Sequence, residues 1–201
     1  MVAINALANV RFPVITALLV TAAATIYGIE DGNHLFLYDR NKVLDGDIWR
    51  VVTGHLVHFS WQHFGYNLIL LALTGCWLEY RLGVRYVWLL VLTSLVSGLY
   101  FLLFLPDMAH YGGLSGLVSA NVVYLSLLEI QHNKKARPFW IAIILLFIAK
   151  VGYEMLMKET IFVSQSNAMF EVAPSAHIIG AIVALIYKGV SWSGDSFGSP
   201  T

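Results

Sequence analysis

The sequence predicts an all-α polytopic membrane protein, a single bundle of six transmembrane helices with both termini cytoplasmic. Three observations point there. Of 201 residues, 58% are hydrophobic and only 12% are charged, about half the charged share of an ordinary soluble domain. The apolar residues gather in six runs, and a spanning helix needs about 20 of them. Lys and Arg then fall unevenly on the two sides of those runs.

The runs lie at about 12–29, 62–80, 86–105, 115–130, 139–157 and 173–190. The first follows Arg11 and holds the small stretch TAAAT at 21–25, so it has some features of a signal peptide. Its apolar core continues into YGIEDG and further spans must follow, which favours a retained helix. With the N-terminus inside, seven basic residues fall on the cytoplasmic side: Arg11, Arg81, Arg85, Lys134, Lys135, Arg137 and Lys188. Four fall outside (Arg40, Lys42, Arg50 and Lys158), and Lys150 lies within the fifth span. Lys188 is close enough to the inner end of its helix to snorkel outward. Residues 1–190 therefore form one membrane domain, and the small, polar SWSGDSFGSPT at 191–201 reads as a disordered tail.

Several function classes drop away. Formal net charge is zero, which gives no footprint for a nucleic-acid partner. No internal repeat is visible, which weighs against an inverted-repeat transporter. The single cysteine, Cys76, cannot pair within the chain and reads as a small core residue. The partners implied are the lipid bilayer and whatever enters from it; oligomeric state is not legible.

Depth singles out a few polar residues. From Ser115 to Glu129, near the cytoplasmic end of the fourth span, is about 21 Å at 1.5 Å per residue, against a hydrocarbon core about 30 Å thick. Ser115 and the glycines 112, 113 and 116 around it thus lie below the outer surface. Irregular backbone is tolerated there only inside protein or beside a water-filled cavity. His63 and Asn67 share a face of the second span, Asn67 again about 21 Å above Arg81. His177 in the sixth span lies about 17 Å above Lys188. Three helices running outside to inside therefore carry a hydroxyl, an imidazole and an amide at matched depths.

Serine becomes a nucleophile when a base takes its proton, and histidine is the usual base near neutral pH. No carboxylate neighbours His177 in sequence except Glu171, six residues earlier in the outer loop, so a Ser–His dyad is expected rather than a triad. The free amides at the start of the fourth helix could stabilise an oxyanion, with His63 and Asn67. Gly180 and Ala184, with Gly116, would let the fourth and sixth helices approach closely enough for a Ser–His hydrogen bond. No cofactor or metal is implied, since a dyad and backbone amides suffice.

GGLSG at 112–116, HFSWQHFGYN at 58–67 and AHIIGAIVA at 176–184 resemble the rhomboid intramembrane serine proteases. Their patterns are GxSG on the fourth helix, HxxxxHxxxN on the second and AHxxGxxxG on the sixth. DIWR at 47–50, with Trp49 and Arg50, resembles the family's first-loop element. LEYRLG at 78–83, with Glu79 and Arg81, resembles its Glu-x-Arg turn.

The resemblance covers residues 45–190 and implies a six-helix rhomboid-like bundle. It also implies Ser115 as nucleophile, His177 as base, and oxyanion donors from His63, Asn67, the Ser115 amide and the Leu114 amide. His58, Gly113, Gly116 and Gly180 would be structural. The implied reaction is hydrolysis of a peptide bond near the outer end of a single-pass substrate's transmembrane helix. The implied location is a bacterial inner membrane, with the site opening to the periplasmic face. YDRNKVLDGDIWRVVTGHLVH at 38–58 and the compact build resemble the rhombosortase branch, whose substrates carry C-terminal Gly-Gly-containing tags. Two positions depart from the pattern: Ala184 replaces its last glycine, and Ser119 stands where a tyrosine usually stacks on the catalytic histidine. A hydrogen bond from Ser119 could hold His177 instead.

Three rivals stand beside this reading. A pseudoprotease would bind membrane clients without cleaving them. A metal site could use His55, His58 and His63. A Ser–Lys dyad could use Lys150, although Lys150 and Glu154 at i, i+4 read first as a structural pair.

Overall fold

The computed structural model describes residues 12–29, 31–157 and 174–192. Six long helices follow the predicted spans closely: α1 (Val14–Gly28), α5 (Trp61–Leu82), α6 (Arg85–Phe104), α7 (Ser115–His132), α8 (Arg137–Met157) and α9 (Pro174–Trp192). Between the first two lie short helices α2 (Gly32–Phe36), α3 (Arg40–Leu44) and α4 (Arg50–Thr53), then a 3-10 turn, Gly54–Leu56. The all-α expectation needs one amendment. Tyr38–Asp39 (β1) pairs antiparallel with His110–Tyr111 (β2), Tyr38 opposite Tyr111. The loop 158–172 and the tail from 193 lie outside the described residues, as do Arg11, Lys158 and Glu171; residues 191 and 192, placed in the tail, belong to α9.

Helix ends are set by caps that span the fold. Ser60 caps α5, its hydroxyl accepting from the His63 amide at 3.2 Å. The same helix stops at Gly83, whose φ of +58° is a backbone conformation that glycine adopts most readily. Helix α1 starts after Pro13 with no side-chain cap of its own. Glu79 of α5 takes that place, accepting from the Ile15 and Thr16 amides and the Thr16 hydroxyl, each at 2.8 Å. A carboxylate at a helix N-terminus also meets the positive end of its dipole. Arg81, two residues on, faces Glu129 of α7 at 3.6 Å.

The segment before α5 is organised around buried Arg50. Its guanidinium donates to Asp47 at 2.9 Å and to the His34 and Leu37 carbonyls at 3.0 and 2.9 Å. Trp49 beside it is half exposed. Arg40 donates to the Leu102 carbonyl at 2.7 Å, covering the C-terminal end of α6. The β1–β2 pair then joins this segment to the turn that leads into Ser115.

Helix α7 is the axis of the bundle, with most of its residues buried and with α5, α6, α8 and α9 packed around it. Outward faces are apolar: Leu73 and Trp77 on α5, and Leu145, Leu146 and Ile148 on α8, are all exposed. So broad an apolar surface suits lipid rather than water. Helices α6 and α8 are long and apolar enough by themselves to cross a bilayer, and α1 and α9 contain shorter apolar stretches. Lys188 departs from the snorkelling expectation. It is buried, its ammonium lying 5.8 Å from the centre of the Tyr124 ring.

Candidate active site

Ser115 is the first residue of α7, preceded by a turn that only glycine accommodates. Gly113 has φ +144°, and a Cβ there would sit 2.7 Å from His63 Cε1, 3.0 Å from His63 Nε2 and 3.8 Å from Ser115 Oγ. The His63 ring, the Gly113 main chain and the Ser115 hydroxyl therefore border one small space. Leu114 supplies no side-chain cap, so no side chain there takes up the amides of the helix's first turn. Tyr111 holds the turn from below, its hydroxyl donating to the Gly113 carbonyl at 2.8 Å. Burial raises the Tyr111 phenol above its usual range and keeps it a neutral donor, hydrogen bonding to Ser115 opposing that shift.

The second span contributes two predicted residues, and the segment just before it a third, His58. His63 and Asn67 are both buried, and the Asn67 amide donates to the His63 carbonyl at 2.9 Å with one of its two N–H groups. His58 is fully buried; its Nδ1 meets the Leu56 carbonyl at 3.1 Å and its Nε2 faces the Leu114 amide at 3.5 Å. That amide, expected among the oxyanion donors, thus leans towards His58. His55 turns away to the Ser94 carbonyl, 3.2 Å from Nε2. Among the described residues, no three His, Cys, Asp or Glu side chains come together as a metal ion would require.

Both His55 and His58 lie in the connecting segment and are held neutral. Burial lowers His55 to about 4. Burial, with a smaller repulsion from His63, lowers His58 to about 3. Unfolded, each would titrate near 6.5, so below that pH the unfolded chain binds protons that the fold refuses. Stability is therefore full above about pH 6.5, falls by about 2 kcal/mol per histidine at pH 5, and is lost completely only below the folded values. Melting of the detergent-solubilised protein should come at clearly lower temperature at pH 5 than at pH 7; equal melting temperatures would refute buried neutral histidines.

His177 is the fourth residue of α9, the helix most extensively packed on α7. Gly180 presses on the Gly116 carbonyl, and Ala176 and Ala184 are fully buried, so small residues bring the two backbones together as expected. The His177 ring lies beside the Ser115 main chain. Its Nδ1 is 2.9 Å from Ser119 Oγ, and that hydroxyl is 2.7 Å from the Ser115 carbonyl. Ser119 thus does hold the imidazole by a hydrogen bond, in place of a stacked ring.

Two expectations about His177 need correction. A carboxylate does reach it: Glu154 Oε2 of α8 is 3.4 Å from Nε2. Sequence neighbours alone could not reveal this, because Glu154 comes from another helix. Lys150, paired with Glu154 at 2.9 Å, lies 2.8 Å from the same nitrogen. The expected Ser–His hydrogen bond is not formed; among the described residues none joins Ser115 Oγ to His177, and Nε2 faces Lys150 instead. The signal for this pair was visible as charged residues at i, i+4 in an apolar span, where charge is costly and tends to mark function.

A family model described as the rhomboid domain matches residues 45–193. The rhomboid protease GlpG of Haemophilus influenzae is 28% identical over 183 residues, covering 86% of this chain and 88% of that protein. The rhomboid protease GlpG of Photorhabdus laumondii is 32% identical over 143 residues, covering 70% of this chain and 46% of that protein.

Proposed function

The chain belongs to the rhomboid family of integral-membrane serine proteases, and from that premise we propose that Ser115 is its nucleophile and His177 its general base. The observation that carries this reading is the meeting of three helices at one turn. The Ser115 hydroxyl, the uncapped start of α7 and the His63 ring border the same space, and α9 sets His177 beside the Ser115 main chain. Ser115 Oγ attacks the scissile carbonyl carbon, its proton passes to His177 Nε2, and the carbonyl electrons move to oxygen. The oxyanion is received by the Ser115 amide, His63 and the free N–H of Asn67, with the Leu114 amide a further donor once it leaves His58. His177 then returns its proton to the leaving amine, and water hydrolyses the acyl-enzyme.

Rhomboid proteases cleave membrane proteins. The bond cut here lies near the outer end of a substrate's transmembrane helix, with six spans and both termini cytoplasmic. What supports this orientation is the seven-to-four division of basic residues and the position of Ser115 at the outer end of its helix. Processing of C-terminal Gly-Gly-type sorting tags is the narrower reading, supported by the sequence of 38–58; a substrate with and without such a tag tests it.

The experiment is labelling of the purified protein in detergent with a fluorophosphonate, wild type beside Ser115→Ala and His177→Ala. Labelling that is lost in both variants is the expected result. A folded wild-type protein that takes no label would leave a client-binding pseudoprotease.

A further inference from the structure

We propose that Lys150 and Glu154 are a positioning pair that keeps the proton of His177 on Nδ1 and reserves Nε2 as the base for Ser115. The inference rests on the reading of Ser115 and His177 above and extends it to α8. An ammonium has no lone pair, so Lys150 can only donate, and at 2.8 Å its donation makes Nε2 an acceptor. The other nitrogen agrees. Ser119 has one hydroxyl proton, directed at the Ser115 carbonyl, so Ser119 Oγ accepts from Nδ1–H. The chain of donors runs Lys150 to His177 to Ser119 to the Ser115 carbonyl, with a consistent direction throughout.

Glu154 explains why such a device is needed. Its carboxylate lies 3.4 Å from Nε2 and can only accept. Without Lys150 it would draw the imidazole proton onto Nε2, and no lone pair would remain there for the serine proton. With Lys150 in place the carboxylate is neutralised at 2.9 Å. An i, i+4 ion pair that merely stabilised its own helix would need no third partner on another helix.

The arrangement is a resting one. Nε2 has a single in-plane lone pair, so Lys150 and the Ser115 hydroxyl cannot both occupy it. Lys150 turns fully to Glu154 as Ser115 engages: the Lys150–Nε2 hydrogen bond breaks and Ser115 Oγ–H donates to Nε2. Oγ then bonds to the scissile carbon while the proton passes to Nε2 and the carbonyl electrons to oxygen. Glu154 is already adjacent to the imidazolium that forms. The Lys150 side chain is 24% exposed and Glu154 2%, so the lysine has room to move and the carboxylate does not.

The test compares Lys150→Met, Glu154→Leu and the double variant in the full chain. Two quantities are read: fluorophosphonate labelling of Ser115 per folded molecule, and the nitrogen-15 signature of the His177 tautomer, assigned by difference from His177→Ala. Lys150→Met should slow labelling about 100-fold, the order of a general base's contribution, and show the proton on Nε2. The double variant should recover labelling to within a few-fold of wild type and return the proton to Nδ1. Unchanged labelling and tautomer in folded Lys150→Met would overturn the proposal in favour of a plain helix pair. A double variant as inactive as Lys150→Met would overturn it in favour of Lys150 as the base. Wild-type labelling that survives His177→Ala would instead sink the reading of the site itself.

Discussion

Gly113→Ala is expected to reduce cleavage of a transmembrane substrate by at least about 100-fold, the cost of losing one oxyanion donor, while the protein still folds. The added methyl would meet the His63 ring at 2.7 Å, and φ +144° is strained for any side chain. His63 cannot simply retreat. It stands in the first turn of α5 with its amide held by Ser60, and the His58 ring packs against it at 5.0 Å between centroids. The turn into Ser115 moves instead, and the Ser115 hydroxyl and amide leave the space they share with His63. Strain of this kind costs about 1–3 kcal/mol, so melting should shift by only a modest amount. Turnover by Gly113→Ala at the wild-type rate would show that this turn does not shape the oxyanion site.

The legible parts of this protein are those that lipid or a tight turn dictates. An apolar run that lies in a bilayer has to become a helix, because lipid offers no other partner for the backbone, and the six long helices lie within a few residues of the runs. Ser115 and Gly113 could be read for the same reason, since Gly-Leu-Ser-Gly has little use at depth except to turn. The segment 31–59 was not legible. Its helices depend on Arg50 collecting carbonyls from His34 and Leu37, and its short strand on Tyr111, contacts no local pattern encodes. Lys150 and Glu154 were visible as a pair, yet which helix they faced depended on how α8 is rotated in the bundle. Residue types, matched depths and small-residue packing point to a Ser–His hydrogen bond, but none of them encodes the ammonium of α8 that occupies Nε2.

Gly180→Val should damage both fold and chemistry, and a second glycine on the same helix supplies the control. A Cβ at Gly180 would run into the Gly116 carbonyl and lie 3.1 Å from the Ala120 amide nitrogen. Both are backbone atoms and cannot rotate aside, so α7 and α9 must separate. Overpacking costs about 1–3 kcal/mol in ordinary cores. In lipid the loss is harder to recover, because close backbone packing rather than water exclusion holds such helices together. His177 stands one turn above, and its 2.9 Å bond to Ser119 would stretch past the range in which a hydrogen bond survives. Displacement of a base by about 1 Å can cost about 100-fold, and labelling of Ser115 should fall by at least that factor as melting drops. Gly189 has open space where its Cβ would be, so Gly189→Val should melt and label like wild type. If Gly180→Val matched Gly189→Val in both measurements, the close approach of α7 and α9 would not be what holds His177 in place.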